Sequence, residues 1–190
     1  MRSLILLVLL FACFHSAFAT ENTIAASLTG SFTGSVTGNG IQQSVSNATG
    51  VLLELRHIHK PWSGFEVNYA FHPANQQYNL TTVQAGAQHA GLDWVFSTPR
   101  LFLLPIKVFA VGGGAVIFVN PNSGQSDTKS NTKLAFEYGV GVDYAVIPHI
   151  GLRGQYRGNV YSAPALSNAF SSTNQFLKES DLSIGAYLRF

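Results

Sequence analysis

A chain of 190 residues with a net charge of +2 has room for one domain and shows no electrostatic footprint for nucleic acid or an anionic membrane surface. Charged residues are 11% of the chain, against roughly 25% in an average soluble protein, yet no apolar run approaches the roughly 20 residues of a spanning helix. The oil is dispersed among Gly, Ser, Thr and aromatic residues, which excludes a helical membrane protein and points to alternating strands.

The amino-terminus reads as an export leader. Arg2 supplies a positive start, Leu4 to Phe14 a short apolar core, and Ala17-Phe18-Ala19 a small-x-small cleavage site. Cleavage is expected after Ala19, leaving one domain over residues 20–190. The only cysteine, Cys13, falls inside this leader, so the mature chain would carry neither thiol nor disulfide. Leu10-Phe11-Ala12-Cys13 faintly resembles a lipoprotein processing box, but the bulky Phe11 and the early position argue against lipidation.

Leu28, Gly30, Phe32, Gly34 and Val36 alternate with Ser and Thr and predict a first strand, followed by a polar stretch from Gly38 to Asn47. A second strand, about Gly50 to His59, sets Val51, Leu53 and Leu55 on one face and Glu54 and Arg56 on the other. Lys60-Pro-Trp-Ser-Gly64 is a turn. The third strand places Phe65, Val67, Tyr69 and Phe71 opposite Glu66, Asn68 and Ala70, and His72 to Asn79 reads as a loop. The fourth, about Leu80 to Phe96, changes parity between Val83-Ala85-Ala87 and Leu92-Trp94-Phe96, so a bulge near Ala90-Gly91 is expected.

After Ser97-Thr-Pro-Arg100, a fifth strand runs from about Leu103 to Val119 and contains Gly112-Gly113-Gly114. Asn120 to Thr132 is a polar loop. In the sixth strand Leu134, Phe136, Tyr138, Val140, Val142 and Tyr144 oppose Glu137 and Asp143. In the seventh, Ile150, Leu152 and Tyr156 oppose Arg153, Gln155, Arg157 and Asn159. Ser162 to Ser180 is the longest loop. The closing strand, Asp181 to Phe190, sets Leu182, Ile184, Ala186, Leu188 and Phe190 opposite Ser183, Gly185, Tyr187 and Arg189.

Connections after the odd strands are long and polar, and those after the even strands are short. That alternation is expected of a barrel with short periplasmic turns and longer external loops. Through Gly64-Phe-Glu-Val-Asn-Tyr69, Val111-Gly-Gly-Gly-Ala115, Tyr138-Gly-Val-Gly-Val-Asp143, Gly151-Leu-Arg153 and Tyr187-Leu-Arg-Phe190, the mature chain resembles the small eight-stranded outer-membrane barrels of the OmpA/OmpX type. The resemblance implies an all-β fold, an eight-stranded antiparallel up-and-down transmembrane β-barrel, in the bacterial outer membrane. It further implies contact with outer-membrane lipids, and a terminal strand whose Leu188 and Phe190 carry the signal read by the barrel-assembly machinery. Activity does not follow from the fold, because that family includes adhesins, anchors, small channels and lipid-modifying enzymes.

The charges that share the lumen parity are Glu54, Arg56, Glu66, Lys107, Glu137, Asp143, Arg153, Arg157 and Arg189. Four acids and five bases nearly neutralise one another, and a buried unpaired charge is costly. The expectation is a salt-bridge plug, with inward glycines (Gly139, Gly141, Gly151, Gly185) leaving it volume. The competing reading is a small ion or solute channel, which single-sign rings would favour. Catalysis is not expected: where the related lipid A deacylases carry a His-x-Ser pair, this chain reads Tyr156-Arg157-Gly158.

His57 and His59 share a strand face and offer two corners of a metal site, but no third ligand is visible, and no metal or cofactor is expected. Gly112-Gly113-Gly114 lacks the following Lys of a phosphate cradle and marks close approach instead. Trp62, Phe65, Trp94 and Phe96, with Phe102, read as an inner aromatic girdle at the headgroup level. The expected protein is thus a non-enzymatic monomer whose external loops serve envelope integrity or surface interaction, with no nucleic-acid partner and an unidentified loop ligand. A soluble barrel of reversed parity would instead turn Phe65, Tyr69, Phe136 and Val140 inward.

Overall fold

In the computed structural model, residues 21–60, 62–79, 81–99, 105–122, 128–166 and 173–190 are described. The leader read at residues 1–19, and Phe102, lie outside them. Among the described residues there are twelve strands: β1 (Glu21–Thr33), β2 (Val36–Gly38), β3 (Ile41–Val45), β4 (Ala48–Lys60), β5 (Ser63–Pro73), β6 (Gln76–Tyr78), β7 (Thr81–Val83), β8 (Ala85–Ser97), β9 (Ile106–Pro121), β10 (Asn131–Ile147), β11 (Ile150–Ser162) and β12 (Phe176–Arg189).

Eight of them close into an antiparallel barrel in the order β1-β12-β11-β10-β9-β8-β5-β4. The seam is β1 against β12, from Thr23 opposite Arg189 to Thr33 opposite Glu179. It is extended by paired hydrogen bonds between Asn22 and Phe190. Every wall strand therefore has two neighbours, and no backbone edge is left to face hydrocarbon.

The pleat puts alternate side chains on opposite faces, and the two faces here are chemically opposite. Leu134 is 80% exposed, Leu28 70% and Ile184 68%. Such exposure of large aliphatic groups all round a wall is untenable in water and favourable in acyl chains. Phe65, Val67, Tyr69 and Phe71 join them on the outside, while Glu66 and Asn68 between them are buried. The orientation is that of a membrane barrel, and the reversed, soluble parity is ruled out.

Three expectations need correction. The fourth wall strand has no bulge near Ala90-Gly91: β8 pairs in unbroken register with β5, from Pro73 opposite Gly86 to Ser63 opposite Phe96. Ala85 and Ala87 are buried lumen residues rather than lipid-facing ones, so Leu92, Trp94 and Phe96 need no shift to face outward. Register slips instead occur beside short turns, at Ile58/Lys60 and at Ala145/Ile147.

The polar stretches 38–47 and 72–79 are also not plain loops. They supply a second sheet, β2-β3-β6-β7. Asn39 and Gly40 both take positive φ, 53° and 73°, which makes the β2–β3 connection the two-residue hairpin that Asn-Gly favours. The two hairpins pair through Gln43 opposite Tyr78 and through Asn79 N to Gln42 O at 2.9 Å.

Finally, the closing strand starts at Phe176, not Asp181. Lys178-Glu179-Ser180 reads as loop because it is polar, but a strand that has left the hydrocarbon needs no apolar face.

Candidate functional site

The barrel interior is the candidate site. β4 points Glu54 and Arg56 inward, β5 Glu66 and Asn68, β8 Asp93, β10 Glu137 and Asp143, and β11 Arg153 and Arg157; all are buried. Space for these long side chains comes from glycines on the same face. A Cβ on Gly91 would lie 2.5 Å from Glu137 Oε2, and one on Gly113 would lie 2.5 Å from Asp93 Oδ1. One on Gly141 would meet the Phe109 ring at 2.3 Å, and one on Gly151 the Tyr187 ring at the same distance.

Three guanidiniums organise the layer. Arg157 Nη1 donates to Asp93 Oδ2 at 2.8 Å and to Glu137 Oε1 at 2.5 Å. Its Nη2 donates to Glu54 Oε1 at 3.1 Å and also bonds Glu66. Arg153 forks onto Asp143 at 2.7 and 2.9 Å, the two-pronged geometry that favours arginine over lysine. Arg56 Nε donates to Glu66 Oε2 at 2.7 Å, and its guanidinium carbon sits 4.0 Å above the Phe109 ring. Asn68 Nδ2 bridges Asp93 and Glu137. Arg153 and Glu66 are both 0% exposed, so the charges have left water and depend on one another.

The nine charges named from the sequence divide in two. Glu54, Arg56, Glu66, Glu137, Asp143, Arg153 and Arg157 meet in this layer. Lys107 and Arg189 do not; they lie at the short-turn end, where Glu21 Oε2 takes Lys107 Nζ at 2.5 Å and Arg189 Nη1 at 3.7 Å. Asp93 joins the central layer instead, so three cations face five carboxylates there, not a near-neutral set. With β8 in unbroken register, Asp93 stands between Leu92 and Trp94 on the lumen parity, a position that a bulge near Ala90-Gly91 obscures in the sequence.

Toward the long-loop end the lumen changes character. His72, His89, Asn159, Glu179 and Asp181 form a buried upper layer. Tyr161 OH donates to Glu179 Oε2 at 2.8 Å, and Asn159 Nδ2 to Asp181 Oδ2 at 3.4 Å. A cavity of about 10 Å³, room for one water, separates this layer from Arg157 and Glu137. Above it lies an apolar plug containing Ile41, Val45, Tyr78, Val83, Ile117, Leu166 and Leu177, contributed by the second sheet, the wall and the last connection. Tyr78 OH donates to Pro164 O at 2.8 Å and accepts from Leu166 N at 3.0 Å. Burial pushes the Tyr78 phenol above its ordinary pKa, so it stays protonated and able to donate.

On the outer face at the short-turn end, Trp62 stacks on Phe96, Phe65 meets Trp94 edge-on with centroids 4.2 Å apart, and Trp94 Nε1 donates to Ser63 Oγ. His59 stacks on Phe65, and His57 Nδ1 bonds Asn22 Oδ1 at 2.9 Å. The two histidines thus belong to this aromatic row. Among the described residues the group that converges with metal-ligand spacing is a different one, His72, His89 and Glu179. Leu188 and Phe190 are exposed on the outer wall beside the seam.

A closed, lipid-faced, eight-stranded antiparallel wall around a packed polar centre defines a small integral outer-membrane barrel. The sequence matches the family described as outer membrane protein beta-barrel domain over residues 4–190, and the chain belongs to that family. It is accordingly a protein of the bacterial outer membrane. No curated protein sequence matches it. Among solved structures it is similar to Neisserial surface protein A, at 18% identity and TM-score 0.67, covering 89% of this chain and 97% of that one. It is also similar to OprG of Pseudomonas aeruginosa (13%, TM-score 0.63, 90% and 96% covered). The attachment invasion locus protein Ail of Yersinia pestis is a third (17%, TM-score 0.57, 90% and 98%). At these identities the likeness is one of fold.

Proposed function

We propose that this protein is a non-conducting, non-enzymatic outer-membrane barrel that works through its external connections, in envelope integrity or in surface interaction. One observation carries the reading: the lumen is filled in series, by interlocked ion pairs in the middle and by an apolar plug beneath the external sheet. A mixed-sign, fully paired network is suited to closure, whereas conduction calls for rings of one sign along an open path. At residues 156–158 the chain carries Tyr-Arg-Gly, where the hydrolytic barrels carry His and Ser, and Arg157 is committed to four carboxylates.

The precursor is exported by its first nineteen residues and trimmed after Ala19. The closing strand with Leu188 and Phe190 is the segment presented to the barrel-assembly machinery, and Trp62, Phe65, Trp94 and Phe96 anchor the inner interface. The inserted barrel acts as a monomer in contact with outer-membrane lipids.

Purified mature protein reconstituted in planar bilayers should be electrically silent under conditions where a porin conducts. Reproducible single-channel steps that change with Arg153→Ala or Glu137→Ala would overturn the reading in favour of a channel.

A further inference from the structure

The upper lumen layer is built differently from the layer below it. Glu179 and Asp181 are buried, yet among the described residues neither lies within ion-pair distance of an arginine or lysine; the basic groups that reach Glu179 are two histidines. His72 Nε2 is 3.5 Å and His89 Nε2 3.6 Å from Glu179 Oε1. Glu179 is 2% exposed, His72 2% and His89 3%. Each keeps a buried polar atom that meets no hydrogen-bond partner: Glu179 Oε1, His89 Nε2 and His72 Nδ1. Glu179 Oε1 and His89 Nε2 thus face each other with no hydrogen bond between them, and His72 Nε2 converges on the same oxygen; buried polar atoms left in this way call for a partner among them.

The spacing says what fits. One ligand atom from each residue lies within 4.8 Å of the others. In a tetrahedral site with metal–donor bonds of about 2.0–2.1 Å, neighbouring donors are about 3.3 Å apart, close to the observed 3.5 and 3.6 Å. Two imidazoles and one carboxylate form a donor set typical of borderline divalent transition ions, with a fourth position left for water. The support around it is also present. Tyr161 donates to Glu179 Oε2, which leaves Oε1 as the free ligand oxygen, the kind of outer contact that orients metal-binding carboxylates.

We propose that His72, His89 and Glu179 bind one divalent transition-metal ion of the zinc class inside the upper lumen. β5 and β8 are neighbours in the wall, but β12 is not adjacent to either, so the ion ties opposite walls together under the external sheet. It also brings positive charge to a layer where, among the described residues, no arginine lies within ion-pair distance of Glu179 or Asp181. The groups facing it are Tyr161, Ser31, Asp181, Asn159 and, across the one-water cavity, Glu137 and Arg157.

The test uses the full mature chain, folded in detergent with Zn²⁺ and then dialysed. The expected result is one Zn²⁺ per barrel by elemental analysis, and for Co²⁺ in its place the strong visible absorption of a low-symmetry four- or five-coordinate site. Glu179→Gln and His72→Ala should each weaken binding by more than about 100-fold, beyond the 10–100-fold of an outer-shell loss; Tyr161→Phe should fall within that outer-shell range. His57→Ala/His59→Ala should retain the full equivalent. Folding of every variant is checked by its migration on gels with and without boiling. Should His72→Ala not fold, the volume-preserving Glu179→Gln and the wild-type Co²⁺ spectrum decide. Wild-type barrels without stoichiometric metal, binding lost in the His57/His59 variant, or wild-type affinity in Glu179→Gln would each overturn the inference.

Discussion

The lower and upper halves of the lumen are closed by opposite chemistries. In the membrane half, Arg56, Arg153 and Arg157 span the bore and tie five carboxylates from four strands. In the outer half, Tyr78, Leu166, Leu177 and their neighbours close it with apolar contact. The difference follows from what each half can recruit. Within the bilayer, outward positions are committed to lipid and the bore is too narrow to admit another segment, so long side chains must fill it. Above the bilayer, the connections are free to fold over the mouth and bring their own hydrophobic cover. The ion-pair layer depends on every partner being present, while a loss in the cap is expected to stay local to it.

That contrast can be broken by single substitutions. The largest effect is expected for Arg157→Ala, which leaves Glu54, Glu66, Asp93 and Glu137 without their common partner. Removing one partner of a buried pair costs about 3–5 kcal/mol, and the urea midpoint for unfolding in detergent should fall accordingly. Leu166→Ala empties a fully buried site in the cap, at about 2–5 kcal/mol of local stability. Hydrogen exchange should accelerate at residues 41–45 and 76–83 while the wall strands keep their protection; global unfolding instead would show that the two halves are one cooperative unit.

A smaller effect separates the faces of one strand. Gly113→Ala drives a Cβ to 2.1 Å from Leu92 O and should cost about 1–3 kcal/mol through overpacking. Gly112→Ala, next along the chain but with nothing within 4 Å, should stay within about 0.5 kcal/mol of wild type in the same urea titration. Among the cap substitutions the smaller effect is that of Tyr78→Phe, which removes the donor to Pro164 O and the acceptor for Leu166 N. About 1 kcal/mol is expected, seen as faster proteolysis of the cap with unchanged gel migration of the folded barrel.

Much of this was legible because the strand period is two and the lipid-facing residues obey it. Phe65 to Phe71, Leu134 to Tyr144 and Leu182 to Phe190 declare both their strands and their outward faces. The residues between them declare the lumen set, including Glu54, Glu66, Glu137, Arg153 and Arg157. Where the inner face is made of alanine the signal inverts: Ala85 and Ala87 have the character of an oily exterior, predict a bulge that β8 does not contain, and mask the lumen position of Asp93. Polar sequence above the bilayer has the same effect, so β3, β6 and the start of β12 carry the composition of loops although Asn39-Gly40 is a strong hairpin signal.

Alternation along the chain therefore determined the architecture, the side that meets lipid and the identity of most buried charges, because period-two burial is a local property that each strand repeats by itself. Partnership belonged to the closed barrel. That Arg157 gathers four carboxylates, that Lys107 and Arg189 stand apart with Glu21, and that His72, His89 and Glu179 converge all depend on distances across the bore. Those distances are set by strand register and by which walls face one another, and neither is written in any single stretch of sequence.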